Sequence, residues 1–136
     1  MKSKEIIGVG LGGAAGSLLR YSLGVWSLQM FGNQFPYGTL VANLIGSFFL
    51  GWLTSRVIEQ KCLNPAIASS IGTGLIGSFT TFSTFSIESI SLWSSGSLIP
   101  AIVYISASAG GGLLLAFTGY ALGAREQEKE TGGVQL

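Results

Sequence analysis

Four long apolar stretches, separated by short glycine-rich, polar or charged segments, organise the chain. They run from about Ile6 to Leu28, Tyr37 to Val57, Pro65 to Trp93 and Pro100 to Gly123. Each matches or exceeds the roughly 20 apolar residues that carry a helix across a bilayer core. Pro36, Pro65 and Pro100, the chain's three prolines, stand at the starts of the last three stretches, and none falls in an interior. The first helical turn is where a missing N–H costs nothing. The pattern predicts an all-α membrane protein with four transmembrane helices: one domain over residues 1–124, then a polar, solvated C-terminal tail, 125–136.

Polar and small residues fall into stripes within these spans. In the first, Gly8, Gly12, Gly16, Arg20 and Gly24 repeat at i+4. Small residues let helices approach closely in lipid, where no hydrophobic effect drives them together, so the stripe reads as a packing face. Arg20 lies about 21 Å along the helix from Ile6 at 1.5 Å per residue, near the far interface. Two readings stay open for it: a snorkelling side chain, or a positive charge at the mouth of an aqueous vestibule. The second span carries Thr39, Asn43 and Ser47 at i, i+4 and i+8. Asn43 must bond across helices or line a wet path, because an unpaired buried carboxamide is costly. Tyr104 and Ser108 repeat the pattern in the fourth span, before Gly110-Gly111-Gly112.

Composition narrows the class. Charged residues make up 10% of the chain, and 35 uncharged residues separate Arg20 from Arg56, 26 separate Lys61 from Glu88, and 36 separate Glu88 from Arg125. A soluble domain this small needs a polar surface that these runs do not supply. The apolar content excludes disorder. The run after Lys2 and Lys4 reads as a retained span rather than a cleaved signal, since further apolar spans follow it. There is no histidine, no aspartate and one cysteine, Cys62, which excludes zinc, iron–sulfur and histidine-based catalytic sites and predicts that the protein is not an enzyme. Cys62 reads as inert, and a net charge of +1 offers nucleic acid no basic face. Two glycine patterns, from Gly10 and from Gly72, imitate a dinucleotide fingerprint. The acid wanted about 20 residues on is missing: nothing acidic follows Gly12 before Glu59, and Glu88 stands alone after Gly77.

The third span carries most of the chemistry. Its 29 residues would reach about 43 Å as one helix. Gly72, Gly74 and Gly77 weaken its middle, and six of the nine residues from Ser78 to Ser86 bear hydroxyls. A glycine-interrupted span points to a midplane site where unwound carbonyls hold a cation and half-helix ends face ligands. A third helix broken near its middle is therefore predicted. Phe82 and Phe85 share a face, with Thr81 and Thr84 on the adjacent one. A phenyl ring has a positive edge, so ring edges alternating with hydroxyls such as those of Ser83 and Thr84 would let a small anion shed water without meeting a fixed charge. Conduction also needs binding weak enough to release the ion.

These residues make the chain resemble the small bacterial fluoride channels, the Fluc or CrcB family. The resemblance covers nearly the whole chain and rests on three blocks: residues 12–21, residues 38–47, and the most specific, residues 74–86, GLIGSFTTFSTFS. It implies an antiparallel dimer of four-helix subunits with two fluoride pores and a structural, untransported sodium ion at its centre. Gly77 and Thr80 would offer sodium their carbonyls. Phe82 and Phe85 would be the pore phenylalanines, Asn43 a pore hydrogen-bond donor, and Tyr104 and Ser108 parts of a polar track, to which the stripe reading adds Thr39. Two positions depart from the pattern: Ser78 stands where many relatives have glycine, and Gly112 where a hydroxyl often extends the track.

Lys2, Lys4, Arg56, Lys61, Arg125 and Lys129 fall on the side of the termini, and the two opposite connections hold no lysine or arginine. The positive-inside rule then predicts cytoplasmic termini in a multi-pass protein of the bacterial cell membrane. The antiparallel partner is expected to be the chain itself or an oppositely oriented homologous subunit, and a chain so far from balanced points to the second. The expected function is passive fluoride export that protects the cytoplasm. The alternative is a proton-coupled exporter of the small multidrug kind, which needs an embedded carboxylate; Glu88 is the one acid within the spans.

Overall fold

A computed structural model of the chain describes residues 3–59 and 64–132. Lys2, Lys61 and Cys62 lie outside the described residues. Five helices account for nearly everything described, and no strand occurs among these residues. Helix α1 is Ser3–Phe31. Helix α2 is Tyr37–Leu53, continuing in wide π-type turns over Thr54–Glu59. Helix α3 joins Pro65–Ser69, π turns over Ser70–Ile76 and a last turn, Gly77–Phe79. Helix α4 is Phe82–Ser94. Helix α5 runs from Leu98–Ser106 through π turns at Ala107–Gly111 into Gly112–Gly132.

Three segments are each long and apolar enough to cross a membrane as one helix: Glu5–Phe31, Tyr37–Val57 and Leu98–Arg125. The remaining apolar stretch is divided between α3 and α4. The prolines take the places that their chemistry favours. Pro36 is the N-cap residue of α2, Pro65 opens α3 behind an Asn64 side chain that caps the Ala66 N–H at 2.9 Å, and Pro100 lies in the first turn of α5. Beyond Gly123 the chain does not leave the helix: α5 persists to Gly132, so much of the expected tail is helical. Its arginine, glutamate, glutamine and lysine are good helix formers.

Gly96, with φ +79°, ends α4 through bonds from the Gly96 N–H to Trp93 and from the Ser97 N–H to Leu92. This is a left-handed closure that side chains disfavour and glycine permits.

Close backbone approach sets the packing. Helix α1 lies against α3 and α2, and α2 lies against the C-terminal half of α5. The glycine stripe of α1 is the face that meets α3: a Cβ on Gly8 would strike the Ser70 side chain, on Gly12 the Ser70 carbonyl, and on Gly16 the Leu75 carbonyl. A second small-residue face joins α2 to α5, where Gly51 abuts the Ala116 carbonyl and Gly119 the Phe48 carbonyl. Leu53, Val57 and Ile76 form a buried apolar cluster between α2 and α3. The outside is apolar, with Leu11, Leu18, Leu113 and Phe117 all exposed, as suits a lipid-facing surface.

Candidate functional site

The site is built around two non-helical residues. Thr80 (φ −82°, ψ 159°) and Thr81 (φ −153°, ψ 124°) are extended, between the end of α3 and the start of α4. Backbone groups that leave a helix at membrane depth must find other partners. Asn43 supplies them: its Nδ2 donates to the Thr81 carbonyl at 3.0 Å, and its Oδ1 accepts from the Thr81 N–H at 2.8 Å. The carboxamide thus pairs with Thr81 as another peptide unit would. Of the two readings the sequence left open for Asn43, the bond across helices is present, and the residue also lines a cavity.

This pairing changes which carbonyls are satisfied. A continuous helix would send the Thr81 N–H to the Gly77 carbonyl and the Thr84 N–H to the Thr80 carbonyl. Instead Asn43 takes the first, and the Thr81 hydroxyl, capping α4, takes the second at 3.2 Å. The Gly77 carbonyl keeps only a 3.5 Å contact from the Thr80 hydroxyl, which donates more closely, at 3.1 Å, to the Ile76 carbonyl. Arg20 Nε donates to the Ser78 carbonyl at 3.1 Å. A cation at a helix C-terminus is favourably placed against the dipole. This contact gives Arg20 a partner that neither sequence reading foresaw.

A cavity of about 360 Å³ opens beside the interruption, and Asn43, Ser47, Thr81, Phe82, Phe85 and Ser108 are among its lining residues. Five residues selected from sequence therefore come together: Asn43, Thr80, Phe82, Phe85 and Ser108. Among the described residues, Ser108 and Ser55 carry the buried hydroxyls that lack a hydrogen-bond partner. Ser47, which the sequence reading left outside the site, joins this wall. Its hydroxyl lies 3.4 Å from where a Cβ on Gly112 would stand, so α2 supplies a hydroxyl at the place where α5 has none.

Thr39 and Tyr104 lie elsewhere. Both donate to Glu88, Thr39 at 2.9 Å to Oε1 and Tyr104 at 2.7 Å to Oε2. The Tyr104 ring is fully buried against Phe85, with centroids 5.3 Å apart. A second cavity, of about 330 Å³, includes Thr39 and Glu88 in its wall. The sequence signal for Glu88 was present, a lone acid in an apolar span, but nothing in its spacing indicated Thr39 or Tyr104. Ser83 and Thr84 face neither cavity wall. They cluster with the Thr81 hydroxyl, which lies 3.3 Å from Ser83 Oγ and donates to Thr84 Oγ1 at 3.0 Å. Several other hydroxyls bond back to their own helix: Ser86 to Phe82, Ser89 to Phe85 and Ser70 to Ala66. These bonds account for part of the hydroxyl density of the third span without a ligand.

Residues 7–120 match the sequence profile of the family described as CrcB-like protein, Camphor Resistance (CrcB). A protein of Chloroflexus aurantiacus named fluoride-specific ion channel FluC is 44% identical over 119 residues, covering 88% of this chain and 94% of the relative. A Bacillus cereus protein named fluoride-specific ion channel FluC 1 is 44% identical over 123 residues, 90% of each chain. One from Rhizobium meliloti, also named fluoride-specific ion channel FluC, is 43% identical over 118 residues, 87% of this chain and 94% of its own. These relatives carry the names of ion channels, not of enzymes. Matched along most of its length by both comparisons, the chain belongs to the CrcB-like family.

Proposed function

We propose that this chain is a fluoride-selective channel of the bacterial cell membrane that lowers cytoplasmic fluoride by passive export. The observation that carries the reading is the Ser108 hydroxyl, buried without a partner on the wall that also holds Asn43, Phe82 and Phe85. A donor that has surrendered water and gained nothing is costly; a small anion would satisfy it. The positive edges of Phe82 and Phe85 and the second N–H of the Asn43 amide add attraction without a full charge. Ser83 and Thr84 extend the hydroxyl set from Thr81, and Thr39 and Tyr104 continue the path toward Glu88. Ser108→Ala is expected to cut fluoride efflux from liposomes by about tenfold, the worth of one hydrogen bond to an ion. An efflux equal to wild type would remove Ser108 from the path. A proton-coupled exporter would have to work through Glu88, whose two oxygens already accept from Thr39 and Tyr104.

A structural sodium ion suits the carbonyls of Gly77 and Thr80. Both lose their helical donors at the interruption, and hard cations of this kind take carbonyl oxygens. Bound there, the ion would neutralise two carbonyl dipoles that have lost their helical donors; it has no part in moving the anion.

The same surface argues for a second chain. Phe82 is 79% exposed, beside extended backbone that lipid cannot solvate. An antiparallel partner would cover it and create a second path. Because the lysines and arginines at the span ends crowd the side of the termini, that side is assigned to the cytoplasm, and the partner is assigned to an oppositely oriented homologous subunit. Expression of this chain alone is expected to yield no functional antiparallel dimer; fluoride efflux from the single gene product would show that it pairs with itself.

A further inference from the structure

Seven rings touch in series. From the interruption outward they are Phe82, Phe85, Tyr104, Phe35, Tyr37, Phe31 and Trp26, with successive centroids 5.9, 5.3, 5.6, 4.7, 5.1 and 6.0 Å apart. Phe35 is the member that belongs to no helix. It lies in the connection 32–36 and meets Tyr104 edge to face, at 82°.

It borders one of two spaces. The cavity that holds Asn43 and Ser108 is bounded by Phe85, whereas the cavity that holds Thr39 and Glu88 is bounded by Phe35. Tyr104, with no exposed surface, lies between these two rings. Glu88 stands in the wall of the outer cavity together with Phe35, whereas Tyr104 does not, so Phe35 covers the Tyr104 ring on the side of that cavity.

The backbone holds this ring in place. A residue before proline is confined to extended conformations, which applies to Phe35 ahead of Pro36. Pro36 itself (φ −82°, ψ 63°) forms an inverse γ-turn, closed by the Tyr37 N–H on the Phe35 carbonyl at 2.9 Å. Gly32, with φ +74°, turns the chain out of α1, and Tyr37 packs against the Phe35 ring, with Phe31 in turn against Tyr37. So short and constrained a connection presents its phenyl group inward rather than leaving it to sweep through solvent.

We propose that Phe35 is a specificity-determining residue of the anion path: an apolar seal over the buried Tyr104, beside the Thr39–Glu88 cavity, so that only an anion able to shed its water there gets through to Asn43 and Ser108. Apolar constrictions discriminate by dewetting, and the seal therefore acts through bulk rather than through charge. This inference rests on the fluoride-channel reading.

Its test is the ratio of fluoride to chloride efflux from liposomes containing the channel, with whatever partner subunit it needs, for wild type, Phe35→Leu, Phe35→Val and Phe35→Ala. Phe31→Ala is the control from the same ring series, without contact to Tyr104. The ratio is expected to fall with side-chain size, by about tenfold or more at alanine, with Phe35→Leu and Phe31→Ala within about threefold of wild type. If the alanine variant does not fold, the leucine-to-valine step still gives the trend. Wild-type fluoride efflux combined with a ratio that ignores residue 35 overturns the seal and leaves the channel standing. A wild-type preparation that passes no fluoride overturns both.

Discussion

Asn43→Leu is expected to lower fluoride efflux by about 100-fold and to destabilise the protein by about 2 kcal/mol, from the loss of a donor to the ion and of two bonds to backbone. The stability part follows from Thr81. Its N–H depends on the Asn43 amide, and its carbonyl, the N-cap acceptor of α4, takes a further bond from the same side chain; leucine of similar size supplies neither. Hydrogen bonds in membranes often measure at only about 0.6 kcal/mol each, but here the Thr81 N–H either stays unpaired or finds a partner only by closing the interruption. The conduction part has two sources, because the variant removes a donor from the cavity wall and also frees the Thr81 N–H to return to the Gly77 carbonyl. Asn43→Asp separates them: it keeps an acceptor for Thr81 yet places a charge on an anion path, so it should recover part of the stability and none of the flux. Thermal unfolding in detergent, read beside liposome efflux, checks both. A stable, conducting Asn43→Leu variant would mean that the interruption does not depend on this side chain.

Gly119→Leu is expected to give no folded protein. A Cβ at this position would overlap the Phe48 carbonyl and lie 3.1 Å from the Trp52 N–H, so α2 and α5 would have to separate along their whole contact. Overpacking a side chain usually costs about 1–3 kcal/mol; here the obstacle is backbone, which cannot change rotamer, and the loss should stand at or above the top of that range. Gly10→Ala is the control. Nothing lies within 4 Å of its Cβ position, and alanine gains helix propensity over glycine. Size-exclusion profiles of the two variants should differ as aggregate from monodisperse peak.

How much of this was legible depended on whether the cause was local. Apolar runs and proline positions located the helices because both act through the segment that contains them. The i+4 glycine stripe of α1 was readable for the same reason, and its partner turned out to be α3. The matching face of α5 was harder to see, since Gly112, Ala116, Gly119 and Gly123 alternate steps of four and three. The interruption shows the limit most clearly. Gly72, Gly74 and Gly77 suggested where the third span weakens, yet these glycines lie in helical turns, Gly74 against α1 and Gly72 beside Leu53 of α2. The extended residues are Thr80 and Thr81, held by a side chain 38 positions away in sequence. Phe82, Phe85 and Ser108 were legible as chemistry. That Glu88 would collect both Thr39 and Tyr104, and that a loop residue, Phe35, would stack on Tyr104, are products of tertiary placement and left no periodic trace.

The most direct test of the whole account is ion efflux from liposomes loaded with fluoride or chloride, with and without sodium, containing the chain and whatever partner subunit it needs. The account predicts fluoride efflux that requires no proton gradient, little or no chloride efflux, and a loss of activity when sodium is withheld during reconstitution. Proton-driven transport of an organic cation, with no fluoride efflux, would contradict it.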